Sequence, residues 1–311
     1  MNRRKFLRQS SSCSAYLAGL TAFGLSDIFA EESGRKVVAT EKWGRLEEIA
    51  PGTWAMISTA FDRKDFTTVC NSGIIAGKTG VLVIEGTMQA KGAAWIAAQA
   101  EKLTGKAPTD LVVSHFHGDH VNGHSGYPKP KTWVTASTQQ AAEKNFAKAK
   151  PVIPPFHDVQ TLSTEETTEI DLGGRVVRIV PRKGHTNSDV TIEISDPQVI
   201  WTGDLYFNRV FPNYGDAIPN LLNGFAKELD DLDDSAIIVP GHGTLADQTA
   251  VKAYREFLSE IEASVRKAHQ AGTPAKEAAQ AYKLPKSIDD WLVWSPSNIS
   301  RAFNAWYRIL E

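Results

Sequence analysis

The sequence predicts a layered α/β domain, and three observations predict it. Segments with strand and helix periodicity alternate along the chain, and several of the strands end on a histidine or an aspartate. No low-complexity tract or long flexible linker interrupts this order. With 311 residues, of which 42% are hydrophobic and 23% charged, the chain can bury a large core. We therefore expect a single domain over residues 31–311.

The first half of this domain begins with strands and continues with one helix. The stretch TVCNSGIIAGKTGVLVIEG at 68–86 has apolar alternation around a glycine-containing turn at 77–80, which predicts a hairpin. The stretch AKGAAWIAAQAEKLT has helical periodicity, and Gly105 is its predicted stop. The β-branched run TDLVVSH then ends directly on His115. The order strand, helix, strand places this histidine at the carboxyl end of a strand.

The second half repeats this pattern in a looser form. A strand (KTWVTAS) and a helix (TQQAAEKNFAKA) are followed by a strand that ends on His185. A pair of strands (VTIEIS and QVIWTGD) ends on Asp204, and a helix is expected at roughly 220–230. The strand SAIIVPGH ends on His242, and helices fill the remainder. Three more strands thus end on a histidine or an aspartate.

Residues 1–30 are set apart from the domain by their pattern. Arg3 and Arg4 precede a mildly apolar stretch that ends at Ala30, which resembles a twin-arginine export signal. Glycines and Asp27 interrupt the stretch, so we expect no stable membrane insertion after processing. We expect a periplasmic or otherwise exported protein, with the twin-arginine translocation machinery as a transient partner. Of the two cysteines, only Cys70 would remain after cleavage, which excludes an intrachain disulfide.

The overall charge narrows the class of partner. The formal net charge is −2 and the pI is near 6.5, so the chain offers no basic surface for nucleic acid. We expect a small-molecule substrate and no nucleic-acid partner, while the oligomeric state stays open.

The segment SHFHGDHVNGH holds four of the eight histidines of the chain. His115 and His117 alternate and can point the same way from an extended backbone, whereas the turn at Gly118 brings Asp119 and His120 to a second position. Imidazole and carboxylate donors without thiolates suit zinc, and iron or manganese also fits them. The segment therefore predicts a metal centre with two adjoining sites. The fourth histidine, His124, is expected at the surface or in support of the donors.

The segment HFHGDH resembles the H-x-H-x-D-H signature of the metallo-β-lactamase-fold hydrolases. The later segments GHTNSD, WTGDLYF and VPGHG are similar to the remaining metal motifs of that family and follow in the same order. The resemblance covers roughly residues 43–250 and implies an αββα four-layer sandwich with the metals in a cleft at one edge of its sheets. The segment from GHTNSD to NYGDA is most similar to an exported, β-lactamase-like branch of quinoprotein-relay-type zinc hydrolases.

Carried over residue by residue, the resemblance implies two metal sites. One would be held by His115, His117 and His185. The other would be held by Asp119, His120 and His242, and Asp204 would bridge the two.

The chemistry that this resemblance implies is hydrolysis with two Zn²⁺. Two divalent cations about 3.5–4 Å apart lower the pKa of a shared water and polarise a carbonyl or phosphoryl group. The expected reaction is cleavage of an ester, thioester, lactone or amide bond. Asp119 is the expected catalytic residue, because its carboxylate could orient the attacking hydroxide and pass a proton to the leaving group.

The sequence also permits functions other than two-zinc hydrolysis. A mononuclear iron oxidoreductase acting on sulfur compounds, a β-lactamase proper and a non-catalytic metal-binding module share the same donor types. A β-lactamase with a cysteine at the bridging position typically has a lysine three residues later, where this chain has Phe207. Residues 206–209 and Tyr214 could line a substrate pocket with Arg209 as an anion anchor, or belong to a packed loop. Residues 58–68 could form a mobile flap or an ordinary hairpin loop.

Overall fold

The computed structural model describes residues 34–59 and 65–311. The predicted export signal at 1–30 lies outside these residues, as does the centre of the predicted flap or hairpin loop at 58–68. None of the helices in the described part of the chain combines the length and the apolar character needed to span a bilayer.

The first sheet has eight strands, which lie side by side in chain order. The first five pair antiparallel, and the last three continue the sheet in parallel. The strands are β1 (Lys36–Glu41), β2 (Gly44–Ala50), β3 (Thr53–Ser58), β4 (Ser72–Ala76), β5 (Val81–Ile84), β6 (Asp110–Val112), β7 (Lys131–Thr135) and β8 (Val159–Leu162). The predicted hairpin at 68–86 is present as β4 and β5.

The second sheet has five strands in the order β13-β12-β11-β10-β9. Its pairs are antiparallel except for β12 with β13. The strands are β9 (Thr168–Asp171), β10 (Val176–Arg182), β11 (Asp189–Ser195), β12 (Gln198–Trp201) and β13 (Ile237–Val239). The sequence did not predict β8 or β9, because each has four residues with only one of them buried, which leaves too short a pattern to recognise.

The described residues contain seven α-helices, and those at 90–104, 136–146, 219–228 and 248–270 lie close to predicted helices. The longest, α5, begins at Asp247, whose side chain accepts a hydrogen bond from the N–H of Ala250. The helices are α1 (Ala90–Thr104), α2 (Gly118–Val121), α3 (Ala136–Phe146), α4 (Pro219–Glu228), α5 (Gln248–Gln270), α6 (Ala275–Ala281) and α7 (Ser297–Leu310).

Helix α1 shows how the sequence defines an element. Ala93, Ile96, Ala97 and Ala100 recur at helical spacing and are buried against the first sheet. Gly105 ends the helix at φ 72°, a left-handed conformation in which its N–H bonds the carbonyl of Glu101. Both the helix and its predicted stop are confirmed.

Three apolar cores separate four layers. Side chains of α1 and α3, such as Ile96 and Phe146, pack on the outer face of the first sheet. Between the sheets, strands of both contribute a core that includes Leu82 and Ile192. On the outer face of the second sheet, α4 to α7 pack over Ile238 and its neighbours. The structure is therefore a layered α/β domain, as the sequence predicted, and an αββα sandwich, as the family resemblance implied.

Candidate metal centre

All seven predicted donors meet at one edge of the two sheets, in two groups. Within each group, one donor atom from every residue lies within 4.8 Å of the others. The three-histidine group comprises His115, His117 and His185 together with Asp204; the aspartate group comprises Asp119, His120 and His242.

The three-histidine group is built around the Nδ1 atom of His117. This atom lies 3.1 Å from Nε2 of His115 and 2.9 Å from Nε2 of His185. The Oδ2 atom of Asp204 faces the same group, at 3.3 Å from Nε2 of His185 and 3.9 Å from Nε2 of His115. Three imidazole nitrogens and one carboxylate oxygen thus converge.

The aspartate group lies on the other side of Asp204. The Oδ1 atom of Asp204 is 3.1 Å from Nε2 of His120 and 3.1 Å from Nε2 of His242. The Oδ2 atom of Asp119 lies 3.5 Å and 3.3 Å from the same two nitrogens. Asp204 therefore directs one oxygen to each group.

The backbone after β6 separates the donors of the HFHGDH segment into these two groups. His117 has extended dihedral angles and precedes the single helical turn α2. Asp119 and His120 lie on this turn and therefore belong to the aspartate group. The expected change of direction at Gly118 is therefore present, as the first residue of α2.

Two glycines make room for Asp204. Gly203 has φ +51°, and a Cβ there would lie 2.6 Å from Oγ of Ser114. A Cβ on Gly241 would lie 2.1 Å from Oδ1 of Asp204. Because such contacts are closer than real Cβ atoms approach, a larger residue at Gly241 would displace the carboxylate, and one at Gly203 would displace Ser114.

Four of the five ring systems have a polar neighbour at the nitrogen that points away from the groups. Such outer contacts fix ring orientation and tautomer in metal sites. The pairs are His115 Nδ1 with Ser114 Oγ at 2.9 Å, His117 Nε2 with Asp216 Oδ2 at 2.9 Å, His120 Nδ1 with Glu85 Oε1 at 3.1 Å, and His242 Nδ1 with the carbonyl of Val69 at 3.3 Å.

Sequence reasoning missed Glu85 and Asp216. Glu85 is 3% exposed at the end of the apolar strand β5, and its Oε2 accepts a hydrogen bond from the N–H of Ser114 at 3.1 Å. An acidic residue directly after four buried apolar ones is a signal that could have found it. Asp216 lies in a loop twelve positions after Asp204, and nothing in its local sequence marks it.

The loop of His185 is held by Asp189. Its carboxylate accepts hydrogen bonds from the N–H groups of His185 and Thr186 and from the Thr186 hydroxyl. Burial raises the pKa of Asp189 to about 6, although these hydrogen bonds act in the opposite direction. Asp189 therefore stabilises the loop that carries His185.

His124 supports the core and does not join the donors. It lies on a short 3₁₀ segment, His124–Gly126, is 6% exposed and stacks on the ring of Phe146 at 4.9 Å. Its Nδ1 lies 3.0 Å from the carbonyl of Val121. The expectation of a surface position for His124 was wrong, because the ring fills an aromatic cluster beneath α3.

The predicted pocket-lining residues form mostly a packed loop. Tyr206 and Tyr214 are fully buried in the core under the helices, and Tyr206 packs against Tyr254. Arg209 forms an ion pair with Asp290. The packing of this loop favours the prediction of a packed loop over that of a pocket lining.

Protonation differs between the two groups. Burial lowers the pKa of His115 well below its usual range, and the neighbouring rings lower it further. Burial also lowers the pKa of His185, to about 3, despite the opposing effect of Asp204. These two rings are neutral at pH 7.

In the aspartate group, the carboxylates prevail over burial. Burial lowers the pKa of His242, but Asp204 and Asp119 more than offset it and raise the value to about 9. Burial likewise opposes the charge of His120, yet the anionic neighbours raise its pKa well above the usual range. In the absence of a cation, these two rings hold the protons that balance Asp204 and Asp119.

The donor set fits a metal ion. Tetrahedral zinc with bonds of about 2.0–2.1 Å would place its donors about 3.3 Å apart, close to the separations seen here. Nε2 of His120 and Oδ1 of Asp204 are buried and lie 3.1 Å apart without a well-aligned hydrogen bond. A cation in place of the protons on the rings would satisfy both atoms.

Comparison with known proteins agrees with the fold. The family model described as the metallo-beta-lactamase superfamily matches residues 66–242. A metallo-beta-lactamase type 2 from Bacillus sp. (strain 170) is 22% identical over 244 residues, which are 75% of this chain and 90% of that protein.

Solved structures show the same fold at low sequence identity. The stereoselective inverting sec-alkylsulfatase Pisa1 from Pseudomonas sp. matches with a TM-score of 0.64 and 17% identity over 85% of this chain, which spans half of that protein's length. A metallo-beta-lactamase from Hirschia baltica matches with a TM-score of 0.56 and 17% identity, over 70% of this chain and 98% of that one. The chain belongs to the metallo-beta-lactamase superfamily, whose members are metal-dependent hydrolases.

Proposed function

We propose that this chain is a hydrolase that uses two Zn²⁺ to cleave an ester, thioester, lactone or amide bond in a small molecule. The observation that carries the proposal is the position of Asp204, which directs one carboxylate oxygen to each of two donor groups. A shared carboxylate is expected where two cations act on one substrate. It is not needed for the single iron of the oxidoreductase alternative.

The donor chemistry supports zinc. Five imidazoles and two carboxylates, without a thiolate, suit zinc best, although iron and manganese accept the same donors. Two cations bound here would supply an activated water and would polarise the carbonyl oxygen of the substrate.

Asp119 is the residue that we assign to proton transfer. Its side chain is 18% exposed, whereas His120 and His242 beside it are at most 1% exposed. The carboxylate is therefore accessible from the cleft and can accept a hydrogen bond from an attacking water. It can then pass the proton to the leaving group.

A β-lactam is a weaker candidate substrate than the other classes. Phe207, three residues after Asp204, is fully buried and stacks on the ring of His242 at 5.4 Å. It fills the position from which a lysine would hold the carboxylate of a β-lactam. We therefore give priority to substrates that need no such anchor.

We further propose that residues 1–30 export the folded protein through the twin-arginine route and are removed after Ala30. The paired Arg3 and Arg4 before a mildly apolar stretch support this. Replacing both by lysine should retain the chain in the cytoplasm, which fractionation and mass spectrometry of the amino terminus can detect. Equal export of the variant would contradict the proposal.

The first experiment is elemental analysis of protein purified without added metal, with a hydrolysis panel on the same sample. The panel contains nitrocefin, a thioester, a lactone, a phosphodiester and a secondary alkyl sulfate. We expect about two zinc per chain and hydrolysis of one ester-like class. His117→Ala should abolish this activity, since Nδ1 of His117 is central to the three-histidine group.

The matched control is His157→Ala, because His157 is exposed and outside both groups. It should retain metal and activity. One iron per chain without hydrolysis would overturn the proposal in favour of redox chemistry.

A further inference from the structure

A C-terminal segment, residues 290–295, reaches the metal centre from outside the part of the chain that matches the family model. Leu292 is held by two backbone hydrogen bonds, from its N–H to the carbonyl of Arg209 and from the N–H of Phe211 to its carbonyl. The ion pair between Asp290 and Arg209 fastens the same region. The segment is therefore fixed to the loop that follows Asp204.

This attachment places Trp294 against a donor. Its ring centroid is 4.6 Å from that of His242, with the two planes at 79°, and 6.1 Å from that of Phe207. Trp294 remains partly exposed, yet its Nε1 atom is buried. The surface that Trp294 presents is consequently the hydrocarbon of the indole ring.

The other exposed side chains of the metal centre are polar. The side chains of His117 and Asp119 are each 18% exposed, and that of Asp216 is 56% exposed. Arg209 is directed to Asp290, which does not favour the anion anchor that the sequence left open. The apolar indole ring beside His242 suits a hydrocarbon group of a substrate and contributes little to binding an anionic one.

We propose that Trp294 forms an apolar wall of the substrate cleft and selects substrates with an aliphatic or aromatic group next to the scissile bond. This proposal rests on the proposed hydrolase function and specifies its substrate class. A bound hydrocarbon would cover the exposed ring carbons while the reacting carbonyl lies over the donor groups. Trp294 would thus determine specificity through contact with the substrate.

Trp291 provides a matched control within the same segment. Its ring packs against Phe257 at 5.1 Å and stacks with Tyr254 at 6.4 Å, so it supports the helical layer instead of the cleft. The variants are Trp294→Ala, Trp294→Phe and Trp291→Phe. Trp294→Phe keeps an aromatic wall and is informative if Trp294→Ala folds poorly.

The test measures hydrolysis of p-nitrophenyl acetate, butyrate, hexanoate and phenylacetate by the zinc-loaded protein. We expect kcat/KM of the wild type to rise about threefold per added methylene. In Trp294→Ala, kcat/KM should rise by less than about twofold over the whole series. The loss should come from a change in KM more than from a change in kcat. Trp294→Phe should keep most of the preference, and Trp291→Phe should keep all of it.

A second readout does not require turnover. Calorimetry with acetate, hexanoate and phenylacetate measures how the zinc-loaded protein binds the product carboxylates. If neither these esters nor any substrate of the hydrolysis panel is cleaved, but binding still shows a preference that depends on Trp294, the hydrolase function is wrong and the apolar wall stands. If esters are hydrolysed with the same preference in Trp294→Ala, or without preference in the wild type, the wall is overturned and the hydrolase function stands.

Discussion

The three-histidine group and the aspartate group use the same types of side chain but differ in charge. In the first, three imidazoles share one oxygen of Asp204. In the second, His120 and His242 share the other oxygen of Asp204 with Asp119, and Glu85 lies 3.1 Å from the outer nitrogen of His120.

This difference decides the protonation of the rings. Burial prevails where few carboxylates are present, and it lowers the pKa of His185 to about 3. Carboxylates prevail where they are numerous, and they raise the pKa of His242 to about 9. The three-histidine group is thus ready for a cation at neutral pH, whereas the aspartate group must first release protons. We expect the first cation to bind in the three-histidine group.

The substitution with the largest expected effect changes Asp204, which the two groups share. Asp204→Asn keeps the shape of the side chain but removes the charge and one acceptor oxygen. We expect the aspartate group to lose its cation and kcat/KM to fall by more than about 100-fold, beyond what loss of an outer contact costs. Elemental analysis and the hydrolysis assay measure both effects.

Asp234→Asn is the control for this substitution, because Asp234 is exposed and outside the site. Two cations per chain in Asp204→Asn would show that the groups do not depend on a shared carboxylate.

A smaller effect should follow from Asp216→Ala. This removes the carboxylate that accepts a hydrogen bond from Nε2 of His117 at 2.9 Å. We expect the affinity of the three-histidine group to fall by about 10- to 100-fold, with little change in the aspartate group. Competition titrations with a chromophoric chelator would measure the two affinities. Equal weakening of both groups would indicate a general loss of structure, which circular dichroism can check.

The smallest expected effect is a difference in pH dependence. At pH 7 the ring of His242 is protonated in the metal-free protein, and a cation must displace this proton. The affinity of the aspartate group should therefore rise about tenfold per pH unit for each proton displaced, up to about pH 9. The His185 ring is already neutral and should add no such dependence to the first cation. Calorimetry at pH 6, 7 and 8 in buffers of different ionisation enthalpy would count the protons released on binding. If binding of the second cation released no proton, the proposed difference in charge between the two groups would be wrong.

Much of this molecule follows from local patterns in its sequence. Hairpin alternation predicts β4 and β5, and helical spacing with Gly105 predicts α1, because both depend on side chains close together in the chain. The donors of the HFHGDH segment were predicted from their clustering after a strand, whereas His185, Asp204 and His242 were assigned as ligands through the resemblance to the metallo-β-lactamase-fold hydrolases. The short edge strands β8 and β9 were missed because only one of the four residues in each is buried, which leaves no apolar pattern to recognise.

The resemblance also implied how those donors are divided, but only the tertiary structure decided what supports them. The two oxygens of Asp204 face different groups only because β12 and β13 bring it between His120, His242 and His185. Glu85, Asp216 and Trp294 reach the site from elements distant in sequence, and no local pattern records such contacts. The sequence by itself determined which atoms can bind a metal, since that is a property of residue type. Their charges, partners and the apolar wall beside them depend on distance and burial, which exist only in the folded chain.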